Sequence, residues 1–174
     1  KRQGVDKKLA EIYYLKNDFS KAADAYSRFA MGPVATEEDL VKYAFALFLN
    51  HDFEKSLEVA NMGLQKNPRH AAFNRLAMYN YTDLKRFDEA MKAADIFFNE
   101  TDKADYSYLD YMYYGHLLED LKKYDEAVIQ YEKAVQLDPS NTNLYKNISA
   151  AYERKNDYKK AISAYRKYYC LLYT

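Results

Sequence analysis

The sequence predicts an all-helical protein assembled from repeated helix pairs, and three observations carry that prediction. Only four Gly and three Pro occur in 174 residues, too few to punctuate long loops. Apolar and aromatic residues recur every three to four positions, the spacing of amphipathic helices. The pattern itself also recurs. The stretch Tyr108–Asn141, YLDYMYYGHLLEDLKKYDEAVIQYEKAVQLDPSN, has further copies starting at Gln3, Glu37, Ala71 and Thr142, so successive starts are 34, 34, 37 and 34 residues apart.

Each copy reads as two helices. In the first, residues 3–36, Leu9, Ala10 and Tyr13 line one helix and Phe19, Ala22, Tyr26 and Phe29 the next, with Gly32-Pro33 as the stop. In the second, residues 37–70, Thr36 and Asp39 have the spacing of a capping box before Leu40, Tyr43, Ala44 and Leu47. Phe53, Ser56, Ala60, Gly63 and the closing Pro68 follow. The third, residues 71–104, carries Ala77, Met78 and Tyr81, then Phe87, Ala90, Ala94 and Phe97, with Asp102 where a proline closes other copies. Three inserted residues, 105–107, precede the fourth copy, 108–141, and Ser107 with Asp110 forms a second capping pattern. In that copy Tyr111, Tyr114 and Leu118 line the first helix, and Tyr124, Ala127, Tyr131 and Ala134 the second. Gly115, on the apolar face, is expected to admit a neighbouring backbone. The fifth, residues 142–174, has Tyr145, Ile148, Ser149 and Tyr152, then Tyr158, Ala161 and Tyr165.

Composition narrows the function. Lys+Arg and Asp+Glu both number 26, so the net charge is zero, and the basic excess of a nucleic-acid binder is missing. The single Cys170 leaves no internal disulfide and no cysteine-based zinc site. No apolar run reaches the roughly 18 residues of a membrane span, so no membrane insertion is expected. The chain opens on Lys and not Met, so the lack of a signal peptide within it says nothing of a targeting segment upstream.

Chemistry is sparse. His116, Glu119 and Asp120 share a helix face, but no second ligand set stands at a metal-binding spacing. No His accompanies a Ser or Cys in a nucleophile arrangement, and four scattered glycines form no phosphate loop. No catalytic residue, metal or cofactor is therefore expected. Asn80, Asn99 and Asn147 open glycosylation-type triplets that read better as chance. Of the 20 tyrosines, twelve recur at helix-packing places and read as core, with their hydroxyls reaching polar partners at its edge. The five aromatics at the seventeenth place of each copy, Phe19, Phe53, Phe87, Tyr124 and Tyr158, are expected to rank high among the buried side chains.

Five registered helix pairs with small residues at the contact places resemble the tetratricopeptide repeat family, and the resemblance spans essentially the whole chain. There are departures. The fourth place of each copy has no tryptophan, and the twenty-seventh, usually alanine, is Phe29, Gly63, Phe97, Ala134 and Tyr168. The resemblance implies a single domain, residues 1–174, forming an α-solenoid, a right-handed superhelix of five antiparallel helix pairs. It also implies a concave groove lined by the first helices. Carried over place by place, the groove takes Lys7, Glu11 and Tyr14, then Val41, Phe45, Phe48 and Leu49, then Arg75, Tyr79 and Asp83. Leu109, Met112, His116, Glu119 and Asp120 follow, then Lys146, Glu153 and Arg154. Its middle is apolar and its ends are charged.

The function this implies is a non-catalytic scaffold that binds a peptide or helix of a protein partner. Phe45, Phe48, Tyr79 and Met112 would be its apolar anchors, Val41 and His116 would stand beside them, and Arg75 would be a charged donor. The competing reading folds Phe45 and Phe48 onto adjacent helices. The family's carboxylate clamp for chaperone tails needs Lys and Asn, then Asn, then Lys and Arg at set places. Residues 7, 11, 42, 72 and 76 do not supply that set, nor do the other two registers. Two alternatives stand beside the groove. One is self-assembly, with a homodimer formed through the apolar C-terminal helix at Tyr168, Leu171 and Leu172. The other is recruitment of substrate to an enzyme domain elsewhere. The in-phase start at Gln3, and a last helix without a polar cap, lead to the expectation of an excised part of a longer array.

Overall fold

The computed structural model describes residues 2–33, 35–101 and 105–173. Among them are ten helices and no strand: α1 (Arg2–Leu15), α2 (Phe19–Ser27), α3 (Glu37–Leu49), α4 (Phe53–Lys66), α5 (Ala71–Asp83), α6 (Phe87–Asn99), α7 (Tyr108–Asp120), α8 (Tyr124–Leu137), α9 (Thr142–Arg154) and α10 (Tyr158–Leu172). Asp102 and Ala104 in the third copy and Thr174, the last residue of the fifth, lie outside the described residues.

Each pair is closed by the same three-residue turn. Its middle residue is left-handed in all five: Asn17, His51, Lys85, Lys122 and Asn156, with φ between 57° and 64°. A side-chain-bearing residue in that region costs about 1–2 kcal/mol. The cost is offset because the next residue's N–H then reaches back over the helix end, satisfying a carbonyl the helix leaves open. These bonds run from Asp18 to Tyr13, Asp52 to Leu47, Arg86 to Tyr81, Lys123 to Leu118 and Asp157 to Tyr152, all 2.8–2.9 Å. No glycine marks these turns, so the sequence does not announce them.

Helix starts are more legible. Thr36 and Asp39 form the expected capping box at α3, and Ser107 and Asp110 form one at α7. The helices group into two compact units where the sequence reading has one domain: Lys1–Ala104, holding α1–α6, and Asp105–Thr174, holding α7–α10. The division falls at the three-residue insertion.

Within each unit, second helices pack on the first helix of the next pair, α2 on α3, α4 on α5 and α8 on α9. The largest fully buried side chains include Tyr26, Tyr79, Tyr131, Phe73 and Phe97. The seventeenth-place aromatics do not join them. Phe19, Phe53, Phe87 and Tyr124 are half-buried and Tyr158 is exposed. They stand at the opening residue of each second helix, where one side is covered only by the turn. Two glycines make room for the core rings. A Cβ on Gly63 would stand 2.1 Å from the Phe73 ring, and one on Gly115 would stand 2.4 Å from Tyr131. What Gly115 admits is therefore a ring, not a backbone. Buried hydroxyls cross-link the pairs: Ser56 Oγ donates to the Ala44 carbonyl (2.8 Å), accepts from Asn80 Nδ2 (2.8 Å), and Ser149 Oγ donates to the Ala161 carbonyl (2.9 Å).

Candidate functional site

In the first unit the expected groove residues lie on α1, α3 and α5. Val41, Phe45 and Phe48 follow one face of α3 at four- and three-residue steps. Val41 and Phe45 are half-buried, but Phe48 is only 9% exposed and Tyr79 on α5 only 1%. Their rings lie 5.5 Å apart, and Phe48 also meets Phe45 edge-on (6.3 Å) and Phe53 (5.8 Å). This corrects the expectation that Phe48 and Tyr79 are exposed anchors. Because α3 packs on α5, places nine and twelve of adjacent first helices meet, and two large rings there bury each other. Arg75, the expected charged donor, lies on the same helix as Tyr79. It is half-buried, its guanidinium 5.1 Å from the centre of the Phe97 ring, in a cation–π contact.

The α1 end of this unit is charged and ordered. Lys7 Nζ lies 2.8 Å from Asp39 Oδ1 and donates to Oδ2 at 2.9 Å, while Lys42 pairs with Glu38 at 2.8 Å. Burial raises the Asp39 carboxyl, but hydrogen bonds from Lys7 and Thr36 outweigh it and hold the group below the usual carboxylate range. Beneath them the Tyr26 hydroxyl is buried with no hydrogen-bond partner among the described residues, against the expectation that buried tyrosines reach a polar partner. Burial first, then the nearby Glu11 and Asp39, push its phenol well above the ordinary value.

The second unit solves the same places with polar chemistry. Met112 and His116 on α7 are half-buried. His116 Nε2 lies 3.0 Å from Asn147 Nδ2 on α9, and its ring stands edge-on to Tyr131 at 5.6 Å. One turn on, buried Glu119 accepts from Tyr131 Oη (2.6 Å) and from Arg154 on α9 (2.5 Å). Burial, then the hydrogen bond to Glu119, raise the Tyr131 phenol far above its usual value. His116 and Glu119 are thus engaged in helix-to-helix contacts, and no group of three metal-ligating side chains is found among the described residues.

At the C-terminal end Tyr168 is half-buried between Tyr165 and Tyr169, both 5.5 Å away, while Leu171 and Leu172 are exposed. Sequence reasoning missed Ile162 and Tyr169, which are exposed on the same helix. The signal was available in the four- and three-residue steps through 158, 162, 165, 169 and 172. Of the three glycosylation-type asparagines, Asn80 is fully buried and Asn147 is held at His116, while Asn99 is exposed and donates to Asp95. None of the described helices is long and apolar enough to cross a membrane.

Comparison with known proteins finds the same repeat and the same fold elsewhere. A model of the TPR repeat matches residues 115–156, from the last turns of α7 through α8 to the turn after α9. Among solved structures, the chain is similar to MamA, residues 41 to the end, from Desulfovibrio magneticus RS-1, with 17% identity, 98% of this chain and 95% of that one covered, and a TM-score of 0.81. It is also similar to MamA of MSR-1 (16% identity, 98% and 96% covered, TM-score 0.75) and of AMB-1 (15%, 98% and 98%, 0.74). At these identities the likeness is one of fold. With the left-handed turn recurring in register, the fold is an all-helical array of helix pairs, and its stretch 115–156 matches the tetratricopeptide repeat.

Proposed function

We propose that the chain is a non-catalytic protein–protein interaction scaffold of five repeats, 3–36, 37–70, 71–104, 108–141 and 142–174, and that it holds an extended or helical segment of a partner on the first helices of its first unit. One observation carries this reading. Val41 and Phe45 remain half-exposed on a floor of buried rings, Phe48 and Tyr79, beside the Lys7–Asp39 and Lys42–Glu38 pairs. An apolar patch whose support is already immobilised loses little conformational freedom on binding, and its charged border supplies orientation. Met112 and His116 offer a second, more polar patch on the second unit.

The test compares wild type with a Val41→Asp/Phe45→Asp variant and with an α4 surface control, Glu54→Arg, in affinity capture from source-cell lysate. Thermal melts verify that all three are folded. Loss of a captured protein from the α3 variant alone, followed by reconstitution with that purified protein, supports the reading. Equal binding by all three would remove the α3 face from consideration.

A further inference from the structure

The second helices of the five pairs differ in charge. Within their own bounds α2, α4, α6 and α8 each carry at least as many acidic as basic residues. Helix α10 carries Lys159, Lys160, Arg166 and Lys167 and no acidic residue, in a chain of zero net charge. Lys159 and Lys160 stand in its first turn, where the helix dipole disfavours cations, so the helix itself gains nothing from that charge. Its neighbours do not neutralise it either. Among the described residues Lys159, Arg166 and Lys167 have no ion pair, and Lys160 has only Asp157, the N-cap of the same helix, at 3.6 Å.

Two of these lysines line a furrow. Helices α8 and α10 both pack on α9, and between them lies a cavity of about 430 Å³. The chain itself supplies both walls and the floor. Lys160 and Lys167 belong to the α10 wall, Glu132 and Gln136 to the α8 wall, and Tyr145, Ile148 and Tyr152 of α9 to the floor. The two tyrosines are half-buried, and Lys160 Nζ is held 5.4 Å from the centre of the Tyr152 ring. Glu132 pairs with neither lysine among the described residues. The matching furrow of the first unit, between α2 and α4, is lined by Glu37 and Lys66, one charge of each sign, and by no aromatic residue.

We propose that the α8–α10 furrow is a docking groove for an acidic segment of a protein partner, extended in the polyproline-II shape. Charge complementarity sets the sign, because the α10 wall is cationic and unneutralised. Spacing sets the shape. Lys160 and Lys167 are seven residues apart, about 10 Å along a helix. Acidic residues at i and i+3 of a polyproline-II segment share one face and lie about 9 Å apart. An aromatic-lined groove is the surface that receives such a segment, which has little backbone freedom left to lose. Opposite the lysines, Glu132 accepts from the segment's backbone N–H groups and Gln136 donates to its carbonyls. The groove uses no residue of α3 and is independent of the first-unit patch.

The full chain is titrated against the fluorescein-labelled peptide PEPLEP, with PQPLQP as the uncharged control, and anisotropy is read. Wild type should bind PEPLEP and not PQPLQP, and added salt should weaken the binding. Lys160→Glu/Lys167→Glu should lose at least about tenfold in affinity, since two attractions become two repulsions. Lys8→Glu/Lys92→Glu makes the same change of net charge at exposed places in the first unit and should bind like wild type, as should Val41→Asp/Phe45→Asp. A wild type that ignores PEPLEP, or that binds PQPLQP as well, would overturn the proposal. So would an equal loss in either control variant, which would take the peptide off α10. Vesicles of phosphatidylcholine and phosphatidylserine that bind wild type where PEPLEP does not would assign the basic face to a membrane surface instead. All four lysines are exposed, so melts should be unchanged. If the α10 variant melts early, Lys160→Gln/Lys167→Gln carries the same readout.

Discussion

The first helices of the two units put different chemistry at the same repeat places. On α3 and α5, places nine and twelve bring together Phe48 and Tyr79, two rings that shut out water by packing against each other, tilted, at 5.5 Å. On α7 and α9 the neighbouring places hold His116 against Asn147 and a buried Glu119 between Tyr131 and Arg154. The backbone template is one; the means of filling it are two. Place in the repeat decides whether a side chain is buried, and the residue there decides whether the contact is held by area or by hydrogen bonds.

Breaking each solution should expose the difference. Tyr79→Ala removes a fully buried ring and leaves a cavity against Phe48, so it should cost about 3–5 kcal/mol and produce the largest fall in the denaturation midpoint. Glu119→Ala leaves the Tyr131 hydroxyl buried without an acceptor, while Arg154 can turn to water. Its cost should be smaller, about 1–3 kcal/mol. Equal losses in matched urea melts would show that the two faces are not distinct in kind.

The glycines sharpen the same comparison. Gly63→Ala and Gly115→Ala each push a methyl into a buried aromatic ring, at 2.1 and 2.4 Å respectively, and should destabilise by about 1–3 kcal/mol. Gly115→Ala should also disturb Tyr131 and hence the Glu119–Arg154 pair, so a double-mutant cycle with Glu119→Ala should be non-additive. A cycle of Gly63→Ala with Glu119→Ala, between residues of different units, should be additive.

The smallest effect concerns pH. The folded protein holds Asp39 below the ordinary carboxylate value, so its contribution to stability is complete above the unfolded value of about 4. It is lost as pH falls through the lower folded value, where the carboxylate protonates and releases Lys7 and Thr36. Asp39→Asn should therefore lower stability at neutral pH and flatten the stability profile below about pH 4. An unchanged acid slope would assign that slope to other carboxylates.

Much of the fold was legible because it is periodic. The 34-residue spacing located the helix pairs, and the Thr36–Asp39 and Ser107–Asp110 patterns located two helix starts at the residues where the structure has them. The left-handed turns were not legible: Lys85 and Lys122 are poor sequence signals for positive φ, and only the carbonyl they help satisfy explains them. The candidate site was read less well than the fold. Val41 and Phe45 keep the half-exposed setting a binding patch requires, whereas Tyr79 reads as a surface aromatic on its own helix and is buried by a residue 31 positions earlier, Phe48.

The sequence by itself determined the helices, their pairing and the repeat register, because these depend on spacing along one chain: which residues share a face, where a cap stands, how often the pattern returns. Only the tertiary structure decided exposure. It buried Tyr79, left Tyr158 and Ile162 in water, and set Glu119 between Tyr131 and Arg154. Each of those outcomes depends on which side chains neighbouring helices bring to the same spot, and spacing along a single helix does not contain that.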